Sequence, residues 1–240
     1  MAAPAFVAAS TAISAALTPF SVSPAFPTGT TTGDIVFALC CAVQSTNATF
    51  TAPGSFVSMG KVTGTSYNTS EWFWDRVEAG DDTAPTFSAS GTLNSIHVAL
   101  ITYRNCLATG TPFEDATTAG ETTSATPTSA VVTPTVAEST TVCFSNVPDN
   151  PAWTTGPPPA NWTTRMDLTN STGLDSRLSV IELTSSAAKD SNVSAVSLGT
   201  LASSELWATL TCVIKPTATA EALGPIIIGT DKIGLRYTLA

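Results

Sequence analysis

The stretch TAPGSFVSMGKV, residues 51 to 62, returns as TGPPPANWTTRMDL, residues 155 to 168. Each opens on Thr, turns through Pro, sets one aromatic (Phe56 or Trp162) and runs into polar–apolar alternation. Self-similarity at a fixed spacing marks a duplicated unit, so the match is followed outward from here. At an offset near 106, SPAFPTGTTTGDIVFAL (23–39) and SAVVTPTVAESTTVCFS (129–145) share one order of events. Each gives a short strand, a Pro (Pro27 or Pro134), a polar turn and then a buried-looking strand. EWFWDRVEAGD (71–81) corresponds to SRLSVIELTSS (176–186), and SIHVALITYR (95–104) to ELWATLTCVIKP (205–216), slightly shifted.

Each half therefore reads as four or five strands. The strongest are 34–42, 71–78 and 95–103, with counterparts at 140–147, 176–183 and 205–214, and the breaks between them are rich in Gly, Pro, Asn and Asp. Leu178, Val180 and Glu182 alternate with Ser179, Ile181 and Leu183, giving each strand two unlike faces. Such a sheet leaves an apolar face bare, and a duplicated half supplies the second sheet that covers it. The expected fold is all-β, a two-sheet antiparallel β-sandwich, jelly-roll-like, built from an internal duplication. Residues 1–216 form this domain, with repeat halves at about 20–104 and 127–216. CLATGTPFEDATTAGETTSATPTSA (106–130) reads as a long polar connection between them. After Pro216 the chain changes: TATAEALGP is linker-like, and PIIIGTDKIGLRYTLA (225–240) gives two strands around a turn. Residues 217–240 are expected to form a tail for oligomer contact or docking, because apolar strand edges pair with other chains. Ile226, Ile227, Ile228, Leu235 and Tyr237 are its candidate contact residues.

Only 11% of residues are charged, against roughly 25% in an average domain; Ser and Thr take their place and favour strands over helix. With net charge −9 and nine basic residues scattered singly, a nucleic-acid partner or an anionic membrane is not expected. No run reaches the roughly 18 apolar residues of a membrane span. The N-terminal MAAPAFVAASTAISAALTPF lacks the basic start of a signal peptide. Cys40, Cys41, Cys106, Cys143 and Cys212 are odd in number and show no C-x-x-C spacing. Adjacent Cys40 and Cys41 point to opposite faces of one strand, so they read as small hydrophobes in a reducing compartment, without disulfides or structural zinc. The sequons at Asn47, Asn68, Asn161, Asn170 and Asn192 are the number that chance supplies in so Asn-, Ser- and Thr-rich a chain.

Motifs of catalysis fail one by one. The single histidine, His97, lies mid-strand, and no G-x-S-x-G elbow accompanies it. GSFVSMGKV has its glycines too far apart for a phosphate loop, with Val62 where a hydroxyl would hold magnesium. Glu71 with Asp75, and Asp81 with Asp82, are neighbours within one segment, whereas paired acids must face each other across a cleft. Asp81–Asp82 beside Gly80 reads as a polar turn in preference to a weak calcium site. No catalytic residue, cofactor or metal is expected. Trp72, Trp74, Trp162 and Trp207 read as packing residues. Trp153, in the Pro-rich loop DNPAWTTGPPP, is the one candidate for ligand or partner contact.

Taken together, Gly33-Asp34 with IVFAL, TAPGSF, EWFWDRVEAGD, HVALITYR, and in the second copy PPPANWTTRMDL and ELWATLTCVIKP, resemble a family of β-sandwich structural proteins. These occur in tailed bacteriophages and some bacterial surface proteins. The likeness covers residues 20–216, and its motifs are signatures of fold. The second copy departs from it, with Ser139-Thr140 where Gly-Asp is expected. The resemblance implies a non-enzymatic virion component assembled in the bacterial cytoplasm, oligomeric and often trimeric. Its partners would be itself and the major capsid protein or another virion protein. Capsid decoration is the first expectation, a tail-fibre or receptor-binding subunit the second. A secreted carbohydrate-binding sandwich is the alternative from another class.

Overall fold

The structure is a computed structural model. It describes residues 2–15, 20–43, 47–63, 68–81, 83–91, 93–120, 124–148, 153–155, 160–170, 176–183, 192–202, 204 and 206–217. Ile226, Ile227, Ile228, Leu235 and Tyr237, with the rest of the expected tail, lie outside the described residues, as does the side chain of Trp153.

The first half contains β1 (Ala5–Ala15), β2 (Phe20–Val22), β3 (Ile35–Val43), β4 (Thr49–Thr51), β5 (Val57–Thr63), β6 (Asn68–Arg76), β7 (Phe87–Ser90) and β8 (Ser95–Arg104). The second contains β9 (Phe113–Gly120), β10 (Thr140–Pro148), β11 (Trp153–Thr155), β12 (Trp162–Asn170), β13 (Ser176–Leu183), β14 (Thr200–Leu201) and β15 (Ala208–Ile214). All named pairings are antiparallel, and no helix occurs among the described residues. The fold is an all-β sandwich, as the composition and the strand pattern led one to expect.

The duplication is written into the topology. One five-stranded sheet runs β1-β8-β3-β6-β5, and the other runs β9-β15-β10-β13-β12, the same order with each strand replaced by its counterpart. Finer marks repeat as well. β5 carries a bulge between Ser58 and Gly60, and β12 carries one between Thr164 and Met166, so Met59 and Arg165 are the same extra residue. Phe6 stands opposite Tyr103, and Phe113 stands opposite Ile214, at matching ladder positions. The turn into β3 uses Gly33 at φ 91°, and the turn into β10 uses Glu138 at φ 63°. Strand pairing thus aligns Gly33-Asp34 with Glu138-Ser139, one residue earlier than the sequence match suggested. The substitution is tolerated because this single residue accepts a left-handed backbone at some cost in strain.

The two large sheets lie face to face. Phe37, Leu39, Trp72, Ile101 and Tyr103 from one pack on Val142, Phe144, Leu178, Val180, Leu210 and Cys212 from the other. β5 lies against β9, and β1 against β12. Because β5 and β12 are counterparts, as are β1 and β9, the contact is self-complementary in the manner of a two-fold dimer.

Each half also covers its own outer face, which the alternation pattern did not reveal. β2-β7-β4 forms a three-stranded sheet that packs Phe20, Phe50 and Phe87 onto Val36, Ala38, Cys40, Phe73 and Leu100. The second half does the same with β11, β14 and the segment 125–132, which pairs with 193–201 through Ser129 N to Val196 O and Leu198 N to Pro127 O. Cys143, Trp162, Ile181 and Leu198 fill that layer. The central sandwich of two sheets therefore sits inside a stack of four layers. β3, β8 and β15 are buried along nearly their whole length because both of their faces are covered.

Two segments correct the sequence reading. The connection 106–130 contains the edge strand β9, and the N-terminal residues 5–15 form β1; both belong to the repeat. As Ala-, Ser- and Thr-rich edge strands with one partly buried face, they carry too weak an alternation to be read. Phe56 and Trp162, the aromatics of the opening match, do occupy one position: each plugs the outer layer of its half.

Candidate cleft at the edge of the first sheet

His97 makes the arrangement nearest to a catalytic constellation. Its Nδ1 lies 2.9 Å from Ser176 Oγ and its Nε2 lies 2.8 Å from Thr11 Oγ1. A serine beside a histidine is the geometry of an activated nucleophile, but the third member here is a hydroxyl where a carboxylate is required. His97 and Ser176 are also fully buried, between the two large sheets. Burial lowers the His97 pKa to about 4, which holds the ring neutral. The imidazole stitches β1, β8 and β13 together.

The cysteines follow the same pattern. All five are buried thiols outside any disulfide, Cys40 in the outer layer of the first half and Cys41 in the central core, on opposite faces of β3 as their adjacency requires. Burial pushes the thiols of Cys41, Cys106 and Cys143 up to about 12, away from the reactive thiolate.

An open cleft of about 540 Å³ lies where β6 ends, lined by Ser55, Trp74, Asp75, Arg76, Glu78, Asp81, Gly110 and Thr111. Three separate segments build it. The turn after Pro53 brings Ser55, β6 brings Trp74 to Arg76, and the connection between the halves brings Gly110 and Thr111. The tight turn at 78–81 closes through Asp81 N to Glu78 O, with Gly80 at φ 96° and the Asp81 carboxylate accepting from Glu78 N. Asp75 is almost fully buried and accepts from Arg76 N at 2.8 Å and from the Ser55 hydroxyl. Desolvation raises its pKa, with Asp81 and Glu78 adding repulsion. Arg76 donates one guanidinium nitrogen to Gly110 O at 3.1 Å, while its other terminal nitrogen, Nη1, is buried with no hydrogen-bond partner. Trp74 stands edge-on to Phe113 of the other half, ring centroids 6.0 Å apart.

Among the sequence candidates, Asp75 and Asp81 do share this cleft, but Glu71 does not. It sits four residues up β6 and accepts from Ser58 Oγ. The backbone of Trp153 is in β11, paired to Leu201, and so belongs to the outer layer of the second half. Trp72, Trp162 and Trp207 are buried packing residues, as read; Trp74 alone of the packing set also lines the cleft. Arg76 and Trp74 carried no local signal of a site, because the residues that close the cleft around them, Ser55 and Gly110-Thr111, lie about twenty residues before and more than thirty after. No family model, curated protein or solved structure matches this chain.

Proposed function

We propose that this chain is a non-enzymatic structural protein of a tailed bacteriophage virion, a capsid decoration protein that binds the outer shell and stabilises it. The observation that carries the reading is how the apolar surface is distributed. Among the described residues the exposed large hydrophobics are Ile13, Val57 and Val131, at 37%, 52% and 51%, one each from β1, β5 and the segment 125–132. They are scattered singly and need no partner to explain them. The described residues of the four-layer body thus present no large apolar patch. Apolar material for docking is left to the C-terminal sequence PIIIGTDKIGLRYTLA, with Ile226, Ile227, Ile228, Leu235 and Tyr237. Thr217, which precedes that sequence, is held to the body: it donates through its N to Asn105 O and through Oγ1 to Cys106 O. A rigid block with an anchored adhesive segment suits a protein that clamps neighbouring shell subunits, and a homotrimer is the expected unit.

A tail-fibre or receptor-binding subunit is the second reading, favoured by the open cleft beside Trp74. Copy number separates the two. Quantitative mass spectrometry of particles released by cells carrying this gene should find hundreds of copies per particle and loss of incorporation when residues 218–240 are removed. A handful of copies would support the fibre, and absence from particles would end both readings.

A further inference from the structure

The two corners where the halves meet are related by the duplication, and they have diverged. At one corner Phe6, Tyr103, Arg165 and Glu182 fill the space. Arg165 donates Nη2 to Glu182 Oε1 at 2.7 Å and Nε to Oε2 at 3.1 Å, its guanidinium lies 5.4 Å from the centre of the Phe6 ring, and the Tyr103 hydroxyl donates to Glu182 at 2.9 Å. At the other corner the same ladder positions carry Phe113, Ile214, Met59 and Trp74. Met59 cannot supply the ion pair, and Trp74 replaces the carboxylate that would receive it. Apolar contacts fill that corner, with Trp74 edge-on to Phe113, and the 540 Å³ cleft opens beside it with Trp74 as the shared wall.

The lining makes three different demands. Asp75, Glu78 and Asp81 call for hydrogen-bond donors. Nη1 of Arg76, buried and unpartnered, calls for an acceptor. The half-buried indole of Trp74 offers an apolar surface to C–H groups. A metal ion would answer the carboxylates but sit against the guanidinium. An anion would answer Arg76 but face three like charges. Hydroxyl groups donate and accept at once, and a sugar ring adds an apolar face. The volume falls in the ordinary range of small-molecule sites. We propose that the cleft formed by Trp74, Asp75, Arg76, Glu78 and Asp81 binds a neutral saccharide, a hexose or N-acetylhexosamine unit. This inference does not depend on the virion reading.

Saturation-transfer NMR on the full chain tests it, with glucose, mannose, galactose and N-acetylglucosamine as separate probes and N-acetylneuraminic acid as the anionic control. Transfer to the ring protons of at least one neutral sugar is expected, and none to the anionic one. Arg76→Gln and Glu78→Gln should each weaken that binding roughly tenfold or more. Glu78→Gln, on an exposed turn, should keep the wild-type melting midpoint. Silence from every neutral sugar, or undiminished binding by either folded variant, overturns the proposal. Particle copy number would be untouched by that outcome, so the two readings fail separately.

Discussion

Phe37 and Phe144 meet across the middle of the molecule, ring centroids 5.4 Å apart and planes at 40°, one contributed by each half. Both are essentially inaccessible to water and stand on the central strands, β3 and β10. Truncating either should open a cavity that neither half can close, because the sheets on both sides are held by their own outer layers. Phe144→Ala is expected to cost about 3–5 kcal/mol in urea unfolding. The double variant with Phe37→Ala should show a coupling of roughly 0.5–1.5 kcal/mol. Additive losses would mean that the halves do not share this core.

His97 predicts a pH dependence with a definite sign. Its folded-state pKa of about 4 lies below the ordinary 6.5, so between those values the unfolded chain binds the proton and the folded chain does not. Stability should therefore be constant above pH 6.5 as far as this group is concerned, and fall by up to about 3 kcal/mol as pH drops to 4. The difference between wild type and His97→Gln, measured by urea titration across that window, isolates the contribution from carboxylates such as Asp75. A pH-independent difference would place the ring in contact with water.

Gly60 offers a test of the face-to-face packing. A Cβ there would lie 3.2 Å from Thr118 Cγ2 and 3.4 Å from Leu210 Cδ1, both in the opposite half. Its counterpart in the second half is Met166. Importing that residue as Gly60→Met should destabilise by about 1–3 kcal/mol through overpacking. A neutral result by thermal melting would show the sheets to be further apart than described.

Much of this was legible in the sequence, and the rest was hidden for physical reasons. Phe56 and Trp162 gave away the duplication because a buried plug after a Pro turn is a local pattern. IVFALCCAV and IHVALITY announced strands because both of their faces are apolar, although that same continuity means two covered faces where one was expected. The opposite facing of Cys40 and Cys41 follows from strand geometry alone. β1 and β9 escaped notice because a one-sided edge strand of Ala, Ser and Thr has little contrast. The match of 71–81 to 176–186 was right in kind but off in register: pairing sets Trp74 against Glu182, an offset of 108, since the loops before β6 and β13 differ in length. The cleft was invisible for another reason. Its acids, arginine and indole lie together in residues 74–81, but they line a cleft only when residues 55 and 110–111 fold in beside them.

The isolated first half, residues 1–110, measures the central claim most directly. Alone, it would present Phe37, Leu39, Trp72 and Ile101 to water, and bare apolar area costs about 25 cal/mol per Å². Calorimetry combined with analytical ultracentrifugation should find either no cooperative transition or a self-associated species whose midpoint rises with concentration. A monomer that melts cooperatively, independent of concentration, would contradict the mutual dependence of the two halves.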